Sequence, residues 1–546
     1  MITLTLAGIF IMGLVAHFSG RSPGGHGLLG RVLNGRAVIV MVFTATFVVL
    51  WYSWASLDPI PVVQDEMSYV LQAQIFARGM WSLPASPMPL FWEQLHVLVE
   101  PRVASKYFPG HALLMAPGAV LGWPALMPLV LQSISGALLF VLARRVANGG
   151  VAIVAWTIWL FSPMVLYFGP SYFSEATTTT CWLAGWYALL EWRTNREARW
   201  LMAVAFFVGW DAITRPLTGL AYAIPVAIVV MSDVVRLGKW KDLAYATLAG
   251  MLVLAILPVW SAHTTGHWTD TPLALYTRMY MPYDVPGFGL KTALPTHYVT
   301  PELAQWNMVY MSAHVKHLPQ RLLTLLGERS LYLWISSWGI SAGILGLFAV
   351  IGLATLNRTT AFALASSVFL LITYLSFGTP AAWTLYYYES VPTYMFLAAS
   401  GLAWVSSLIG RPQGTPPSST FDWRSPRWTR ALVVVGLILA YPGIAAMRLI
   451  HAQHIDDRKH LMPFYRLLAS IHDPRAVVFV RYSAMHDPHV TFVRNTANPD
   501  AERVWVVYDR GDVENARFLA SVPERKAYLF DETQGRTFQY DPRAIE

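Results

Sequence analysis

The chain has 546 residues, of which 55% are hydrophobic and 13% charged, and its mean hydropathy is +0.44. A soluble fold cannot cover that much apolar surface, so lipid is the solvent for most of the chain. The formal charge of +8 does not indicate nucleic-acid binding, because the basic residues lie in short loops between apolar runs. The single cysteine, Cys181, excludes an intrachain disulfide and a cysteine-based metal site.

Apolar runs long enough to cross a bilayer as helices recur along the whole chain. About twelve runs have the required length of roughly 17 to 25 residues. They are 3–19, 37–57, 124–143, 151–169, 176–192, 200–214, 217–235, 243–262, 330–353, 360–377, 388–409 and 431–450. The pattern predicts an all-α polytopic membrane protein with about 11 to 12 transmembrane helices. The first run has neither a basic residue before it nor a small-residue cleavage site after it, so we interpret it as a retained segment.

The loops between these runs differ in charge. The positive-inside rule places the loops rich in Lys and Arg in the cytoplasm. The alternate loops are then external, and they are 58–123, 169–175, 214–216, 263–329 and 377–388, with everything after 451. Nearly all side chains with reactive potential fall in this external set. Residues far apart in sequence are therefore expected to meet at one face of one membrane.

Three segments follow from this pattern. Residues 1–36 form an N-terminal membrane segment and a cytoplasmic loop, 37–450 a transmembrane domain, and 451–546 a small soluble α/β domain. Strands are predicted at 476–482, 503–509 and 526–531, and a helix at 512–522. The last domain is too short and too poor in motifs to be catalytic by itself.

An acidic pair, Asp65 and Glu66, stands just past the second apolar run. Acidic residues stabilise the first turn of a helix, and an amphipathic helix ending at Gly79 is predicted after them, in the membrane interface. Ionisable groups at membrane depth are nevertheless expensive and usually functional. A partly desolvated carboxylate there could act as a general base on a hydroxyl.

Two basic residues stand out in the external loops. Lys106, in SKYFPG, precedes an aromatic and proline turn that leads into an apolar helix, and Arg215 lies in the turn TRP. Each is either an interfacial anchor that keeps its charge near the lipid surface or a cation for a phosphate group. Glu175, in PSYFSE, begins another helix. Ser171 or Ser174 could cap that helix, but capping does not explain the glutamate.

Four histidine pairs have spacings that zinc sites use, but none has a third ligand nearby in an obvious motif. They are His263 with His267, His314 with His317, His451 with His454, and His486 with His489. The sequence also shows no phosphate loop, dinucleotide fingerprint or Ser-His-Asp motif. No cofactor is predicted with certainty, and a divalent cation stays possible.

These motifs, in their order along the chain and on their one predicted side of the membrane, resemble those of the GT-C superfamily of integral-membrane glycosyltransferases. The resemblance covers residues 37–450 and is closest to the bacterial branch akin to protein O-mannosyltransferases and the lipid A aminoarabinose transferase. It implies transfer of a sugar from a polyprenyl-phosphate carrier to a lipid, glycan or protein acceptor. It also implies a bacterial-type inner membrane, with the active site and the C-terminal domain extracytoplasmic.

The resemblance assigns roles to individual residues. Asp65 would be the general base, with Glu66 as a supporting carboxylate, and Lys106 and Arg215 would hold the donor phosphate. Glu175 would orient a substrate or help to bind a metal. Members of the family often have an arginine before the late span, where this chain has TLYYYES at 384–390. There Tyr386, Tyr387, Tyr388 and Glu389 could serve instead, and we predict a phosphate contact from Tyr387 and an acceptor or metal-assisting role for Glu389.

Two other classes of function remain open from the sequence. A transporter or flippase of a lipid-linked glycan would bind its substrate near the midplane, usually between internal repeats, and no repeat is found. A non-catalytic scaffold would use its C-terminal domain to bind a cell-envelope partner. The long loop 263–329, rich in Tyr, Trp and Pro, is interpreted as a lid over the acceptor or the lipid.

Overall fold

The computed structural model describes residues 33–339, 343–408, 426–487 and 490–541, with 426–442 as backbone only. The first half of the described chain is mostly helical. Its helices are α1 Ala37–Trp54, α2 Gln64–Ala77, α3 Pro109–Val120, α4 Leu126–Val146, α5 Gly149–Leu160, α6 Pro163–Phe168, α7 Glu175–Asn195, α8 Ala198–Ala212, α9 Pro216–Leu237, α10 Trp240–Leu254 and α11 Ile256–Thr265. Proline occupies the first turn of α3, α6 and α9, where its missing N–H costs nothing.

Further helices follow, separated by longer connections. They are α12 Pro272–Tyr280, α13 Pro301–Lys316, α14 Leu322–Trp338, α15 Gly343–Gly352, α16 Arg358–Tyr374, α17 Val391–Leu408, α18 Pro426–Lys459, α19 Met462–Ser470 and α20 Asp512–Ser521. Short 3-10 helices lie at Pro89–Trp92, Pro319–Arg321, Leu353–Thr355, Thr384–Ser390 and Pro499–Ala501. The predicted lid at 263–329 thus contains two helices of its own, α12 and α13.

Five helical segments of the described chain are long and apolar enough to span a membrane. They are Ala37–Trp54, Leu126–Val146, Pro216–Leu237, Trp240–Thr265 and Thr384–Leu408, with a sixth if Pro319–Trp338 and Gly343–Thr355 form one broken span. The predicted number of 11 to 12 is not confirmed. Several predicted spans correspond to helices that are shorter than a membrane crossing requires, such as the 12-residue α5. The predicted span 3–19 lies outside the described residues.

The centre of the bundle is formed by α5. Every one of its residues is buried, and Asn148 caps it by accepting hydrogen bonds from two backbone N–H groups. A helix that is apolar on all sides must be enclosed by others. Helices α4 and α17 pack beside it and belong to the same large hydrophobic core.

The C-terminal strands are where the sequence predicts them. β4 (Ala476–Arg481), β5 (Val504–Tyr508) and β6 (Lys526–Asp531) form a sheet in the order β5-β4-β6-β7, with α20 between β5 and β6. β4 pairs with β5 and β6 in parallel, and β7 (Arg536–Gln539) pairs with β6 in antiparallel. The mostly exposed β7 has no clear strand pattern and was not predicted.

This sheet shares its cores with the segment between α1 and α3. Val477 and Phe479 of β4 belong to one cluster with Leu71 of α2, while Val478 belongs to another with Met67. The same segment also contains a small sheet of β1 (Leu83–Pro84), β2 (Val97–Leu98) and β3 (Arg102–Ser105), in the order β1-β3-β2. The predicted amphipathic helix is therefore present as α2, but much of its apolar face packs on protein.

Candidate active site

Asp65 lies in the first turn of α2, and its two carboxylate oxygens differ. The Tyr107 hydroxyl donates a hydrogen bond to Oδ1, and Nε2 of His96 lies 3.1 Å from the same oxygen. Oδ2 makes no hydrogen bond within the described parts of the chain. Since the side chain is 37% exposed, a substrate group can reach this second oxygen.

The protonation states of this pair follow from their surroundings. Burial raises the pKa of Asp65, whereas Lys106, the hydrogen bond from Tyr107 and Arg215 lower it. Burial, together with Lys106, lowers the pKa of His96 well below its usual value, so its imidazole is neutral at pH 7. A neutral imidazole beside a carboxylate donates its N–H, so Nε2 carries the proton, and the buried Nδ1 has no hydrogen-bond partner among the described residues.

Glu66 points to different groups from its neighbour. Its Oε2 accepts a hydrogen bond of 3.0 Å from the Val62 N–H, and its Oε1 accepts one of 3.0 Å from the Tyr172 N–H. Burial raises the pKa of Glu66, and these backbone hydrogen bonds lower it. The carboxylate thereby joins the start of α2 to the turn that precedes Glu175.

Lys106 is buried beside Asp65. Its ammonium lies 5.1 Å from the ring centre of Tyr107 and 5.0 Å from that of Tyr276, which is a cation–π arrangement. Burial lowers the pKa of Lys106, and the carboxylates of Asp284 and Asp65 raise it. Among the described residues Lys106 forms no salt bridge, so its charge is available to an anionic ligand.

Arg215 and Glu175 form a buried ion pair between the ends of two helices. Nη1 of Arg215 donates to Oε1 of Glu175, whose Oε2 has no partner in the described part of the chain. The guanidinium carbon also lies 5.0 Å from the ring centre of Tyr386 and 5.8 Å from that of Tyr374. Ser174 occupies the N-cap position of the helix that begins at Glu175, but its side chain makes no capping hydrogen bond, contrary to one possibility raised by the sequence.

The lysine turn is held against the other two motifs by close backbone contacts. The Gly110 N–H donates to the Ile213 carbonyl at 2.9 Å, just before Arg215. A Cβ at Gly110 would lie 2.3 Å from Thr214 Oγ1, so only glycine permits this approach. His111 joins the lysine turn to the glutamate turn, since its Nε2 lies 3.0 Å from the Tyr172 carbonyl.

Glu389 lies deeper in the bundle. The Thr178 hydroxyl donates to its Oε1, and its Oε2 has no partner among the described residues. Asp211 is equally buried, and neither of its oxygens has a partner there. The described residues contain no group of three or more His, Cys, Asp or Glu side chains that could hold a metal ion.

Tyr387 lies beside Arg329 rather than beside Lys106 or Arg215, the two cations predicted to hold the phosphate. Its hydroxyl interacts with Arg329 of α14, whose guanidinium also donates to the carbonyls of Tyr374 and Phe377 at 2.6 and 2.8 Å. The neighbouring Tyr386 is the one that contacts Arg215. The phosphate-binding role of Tyr387 stays a prediction, and Tyr386 is the better placed of the two.

The sequence motifs did not reveal His96 or Tyr107 as site residues, and they named Tyr386 only as one of a run of candidates. Tyr107 is part of the motif around Lys106, so adjacency was its only signal. His96 has no motif of its own. Its backbone φ of 65° is rare for a residue other than glycine, and this conformation cannot be read from the sequence.

The geometry defines a helical fold with several apolar, membrane-length helices, in which turns between helices bring Asp65, Lys106, Glu175 and Arg215 into one region. No protein-family model and no curated protein matches the chain by sequence. Solved structures do match it. The structure of ArnT from Cupriavidus metallidurans in the apo state aligns with a TM-score of 0.54 at 12% identity, over 90% of this chain and 93% of that one.

A second structure of the same protein, bound to undecaprenyl phosphate, aligns with a TM-score of 0.50 at 13% identity, over 91% of this chain and 94% of that one. ArnT is the lipid A aminoarabinose transferase, a GT-C membrane glycosyltransferase. The predicted resemblance is therefore confirmed for the fold: this chain has the fold of a GT-C membrane glycosyltransferase.

Proposed function

We propose that the chain is a glycosyltransferase that moves a sugar from a polyprenyl-phosphate carrier to a hydroxyl or amine of an acceptor. The reaction would take place on the extracytoplasmic face of a bacterial-type inner membrane. The environment of Asp65 is the observation that carries this proposal. One oxygen is held by Tyr107 and His96, the other is free among the described residues, and the cations Lys106 and Arg215 lie close enough to affect its pKa.

The chemistry is a single displacement at the anomeric carbon. Oδ2 of Asp65 takes the proton from the acceptor group while that group bonds to the anomeric carbon. The bond from this carbon to the carrier phosphate breaks, and the phosphate leaves with the electron pair. Because attack and departure occur on opposite faces of the ring, the configuration at the anomeric carbon inverts.

The cations stabilise the departing phosphate. Lys106 is held over two aromatic rings rather than by a carboxylate, so it needs no rearrangement to bind an anion. Arg215 is held in place by Glu175, which acts as a positioning residue for it. Preorganised charges of this kind stabilise the transition state without reorganisation cost.

The fold of ArnT supports the choice of donor. One of its structures contains undecaprenyl phosphate, a lipid-linked phosphate of the class proposed here. At 12–13% identity this similarity supports the fold, and the donor assignment for this chain depends on Lys106 and Arg215. The acceptor would be a lipid, a glycan or a protein.

Transfer by the reconstituted protein tests this proposal. Proteoliposomes are given a labelled polyprenyl-phosphate sugar and an envelope extract, and the product's anomeric configuration is determined by NMR. We expect an inverted product, and we expect Lys106→Ala to raise the KM for the donor by roughly 10- to 100-fold, as the loss of a charged hydrogen bond requires. The exposed Lys291→Ala is the control. A product with retained configuration would contradict the single displacement.

A further inference from the structure

A cavity of about 420 Å³ lies on the other side of the first turn of α2. Its lining comes from Trp54, Ile60, Val62, Val63 and Glu66, from residues between Tyr167 and Phe173, from residues between Gln453 and His460 at the end of α18, and from Asp487 and Val490 of the C-terminal module. The volume is in the range of small-molecule sites. Asp65, Lys106 and Arg215 do not line it, so this cavity is distinct from the site described above.

One wall of the cavity is aromatic. Tyr167, Phe168 and Phe173 line it, and each is partly exposed although Tyr172 between them is fully packed. Aromatic rings left open in an otherwise buried turn offer a flat apolar surface.

Polar groups at the cavity lack partners. Arg458 is more than nine-tenths buried; its Nε donates to the His454 carbonyl at 2.8 Å and its Nη2 to the Trp54 carbonyl at 2.6 Å. Its Nη1 has no hydrogen-bond partner among the described residues, and neither has Nε2 of the equally buried His454. Buried polar atoms are almost always bonded, so a ligand or water is expected to complete them.

Carboxylates form the largest group among the remaining polar side chains at the cavity. Four carboxylates line the cavity against the single guanidinium of Arg458, and they belong to Glu66, Asp456, Asp457 and Asp487. Asp457 is fixed in place, since Gln453 Nε2 donates to it at 2.8 Å and the Tyr167 hydroxyl at 3.1 Å. An acidic lining disfavours a phosphate or another anion.

A ligand hydroxyl can bond to both the carboxylates and the basic side chains of this cavity. It donates to a carboxylate and accepts from a guanidinium or imidazole N–H. A sugar ring presents hydroxyls at its edge and C–H groups on its face, which suits the aromatic wall. We propose that this cavity binds a neutral sugar unit of the acceptor, beside the Asp65 base, so that the acceptor is a glycan or a glycolipid. The identification of this sugar as part of the acceptor depends on the proposed function.

This assignment gives the C-terminal module a role. Asp487 and Val490 complete the cavity, so the module helps to hold the acceptor. Glu66 forms part of the shared wall, with its carboxylate bonded to the Val62 and Tyr172 N–H groups. Glu66 at the cavity wall and Asp65 at the other site are consecutive residues in the first turn of α2.

The test measures binding of the neutral disaccharides maltose and lactose by saturation-transfer NMR, with the full chain in lipid nanodiscs and inorganic phosphate as a competitor. We expect a signal from at least one disaccharide, and an excess of phosphate should leave that signal unchanged. Phe173→Ala and Asp457→Asn should each reduce the disaccharide signal at least fivefold. The exposed aromatic Trp240, which lies outside the cavity and outside loop 263–329, provides the matched control, and Trp240→Ala should bind as the unaltered chain does.

Two results would overturn the assignment. Either neither disaccharide gives a signal above that of empty nanodiscs, or Phe173→Ala and Asp457→Asn bind the disaccharides as the unaltered chain does, although thermal unfolding shows that both variants are folded. Asp65→Asn separates this inference from the proposed function, since it should abolish transfer and leave disaccharide binding unchanged. A chain that binds the disaccharides through Phe173 and Asp457 but transfers no sugar would contradict the proposed glycosyltransferase function. It would still support the cavity as a sugar-binding site.

Discussion

Asp65 and Glu66 are adjacent in sequence, but their carboxylates have different surroundings. Asp65 has one held oxygen and one without a partner in the described chain, whereas both oxygens of Glu66 accept backbone hydrogen bonds. From the sequence, the acidic pair could serve either to stabilise the start of the helix or to take part in the reaction. The structure supports a reactive role for the first residue and a role in positioning the loop for the second.

His96 gives the most specific prediction for a single side chain. Its neutral Nε2–H stabilises the charged form of Asp65, so removing it should raise the pKa of the base. We expect His96→Asn to lower kcat/KM about tenfold and to move the acidic limb of the pH profile upward by about one unit, since a hydrogen bond to a charge contributes roughly that much. Asn tolerates the left-handed backbone but cannot reach Asp65.

His96→Gln is the matched variant, because its amide reaches as far as Nε2 of the imidazole. It should restore the pH profile toward that of the unaltered chain. If His96→Asn and His96→Gln lower activity equally with no change in the pH profile, the histidine serves the backbone turn and not the carboxylate.

At the scale of elements, turns rather than helices bring the site together. The lysine turn docks on the arginine turn through Gly110, and His111 connects it to the turn before Glu175. Apolar periodicity predicted the helices that carry these turns, and loop charge predicted that the turns share one side of the membrane. Neither pattern could predict the contacts between turns, because these depend on single hydrogen bonds between residues about 60 to 100 positions apart, such as Gly110 N–H to the Ile213 carbonyl and Trp210 Nε1–H to the Gly110 carbonyl.

Gly110→Ala tests this docking. The new methyl group would lie 2.3 Å from Thr214 Oγ1 and 2.9 Å from the Ile213 carbonyl, so the two turns must separate. We expect a loss of about 1–3 kcal/mol in the free energy of unfolding, as overpacking in a core typically costs, together with lower transfer activity. Gly327→Ala is the control, since a Cβ there meets nothing within 4 Å. Equal thermal stability of the two variants would show that the close approach is not required.

At the scale of the whole molecule, the C-terminal module is joined to the rest of the chain by side-chain contacts that composition does not reveal. The sequence predicted its strands at 476–482, 503–509 and 526–531, and these are present. It did not predict that the module would share its cores with α2 or bond to α13. Such long-range packing depends on which apolar faces meet, and the strand pattern is the same whether the sheet stands alone or not.

A buried cluster links α13 to this module. His486 lies 3.2 Å from Glu302 and 2.8 Å from Glu532, the Tyr508 hydroxyl donates to Glu302, and the ring of Tyr482 packs beside the imidazole at 4.2 Å. Burial alone would lower the pKa of His486, but the hydrogen bonds to the two carboxylates raise it to about 9. The charged imidazole therefore stabilises the contact between α13 and the module.

The pH dependence of stability follows from this raised pKa. The contribution of His486 should be complete below about pH 6.5, decline as the pH rises from there, and be lost above about pH 9. The unfolding temperature of the unaltered chain should exceed that of His486→Gln by at least about 2 °C at pH 6.5, and the difference should vanish above pH 9. A difference that is constant across this range would exclude a charged imidazole at the contact.

The central claim is that Asp65 is the base for sugar transfer, and one pair of variants tests it most directly. Asp65→Asn and Asp58→Asn each remove one carboxylate from the same loop, and Asp58 is exposed. In proteoliposomes supplied with a polyprenyl-phosphate sugar, Asp65→Asn should lower the transfer rate by about 10²- to 10⁴-fold, as the loss of a general base requires, while Asp58→Asn transfers at the unaltered rate. Transfer at full rate by Asp65→Asn would contradict the account.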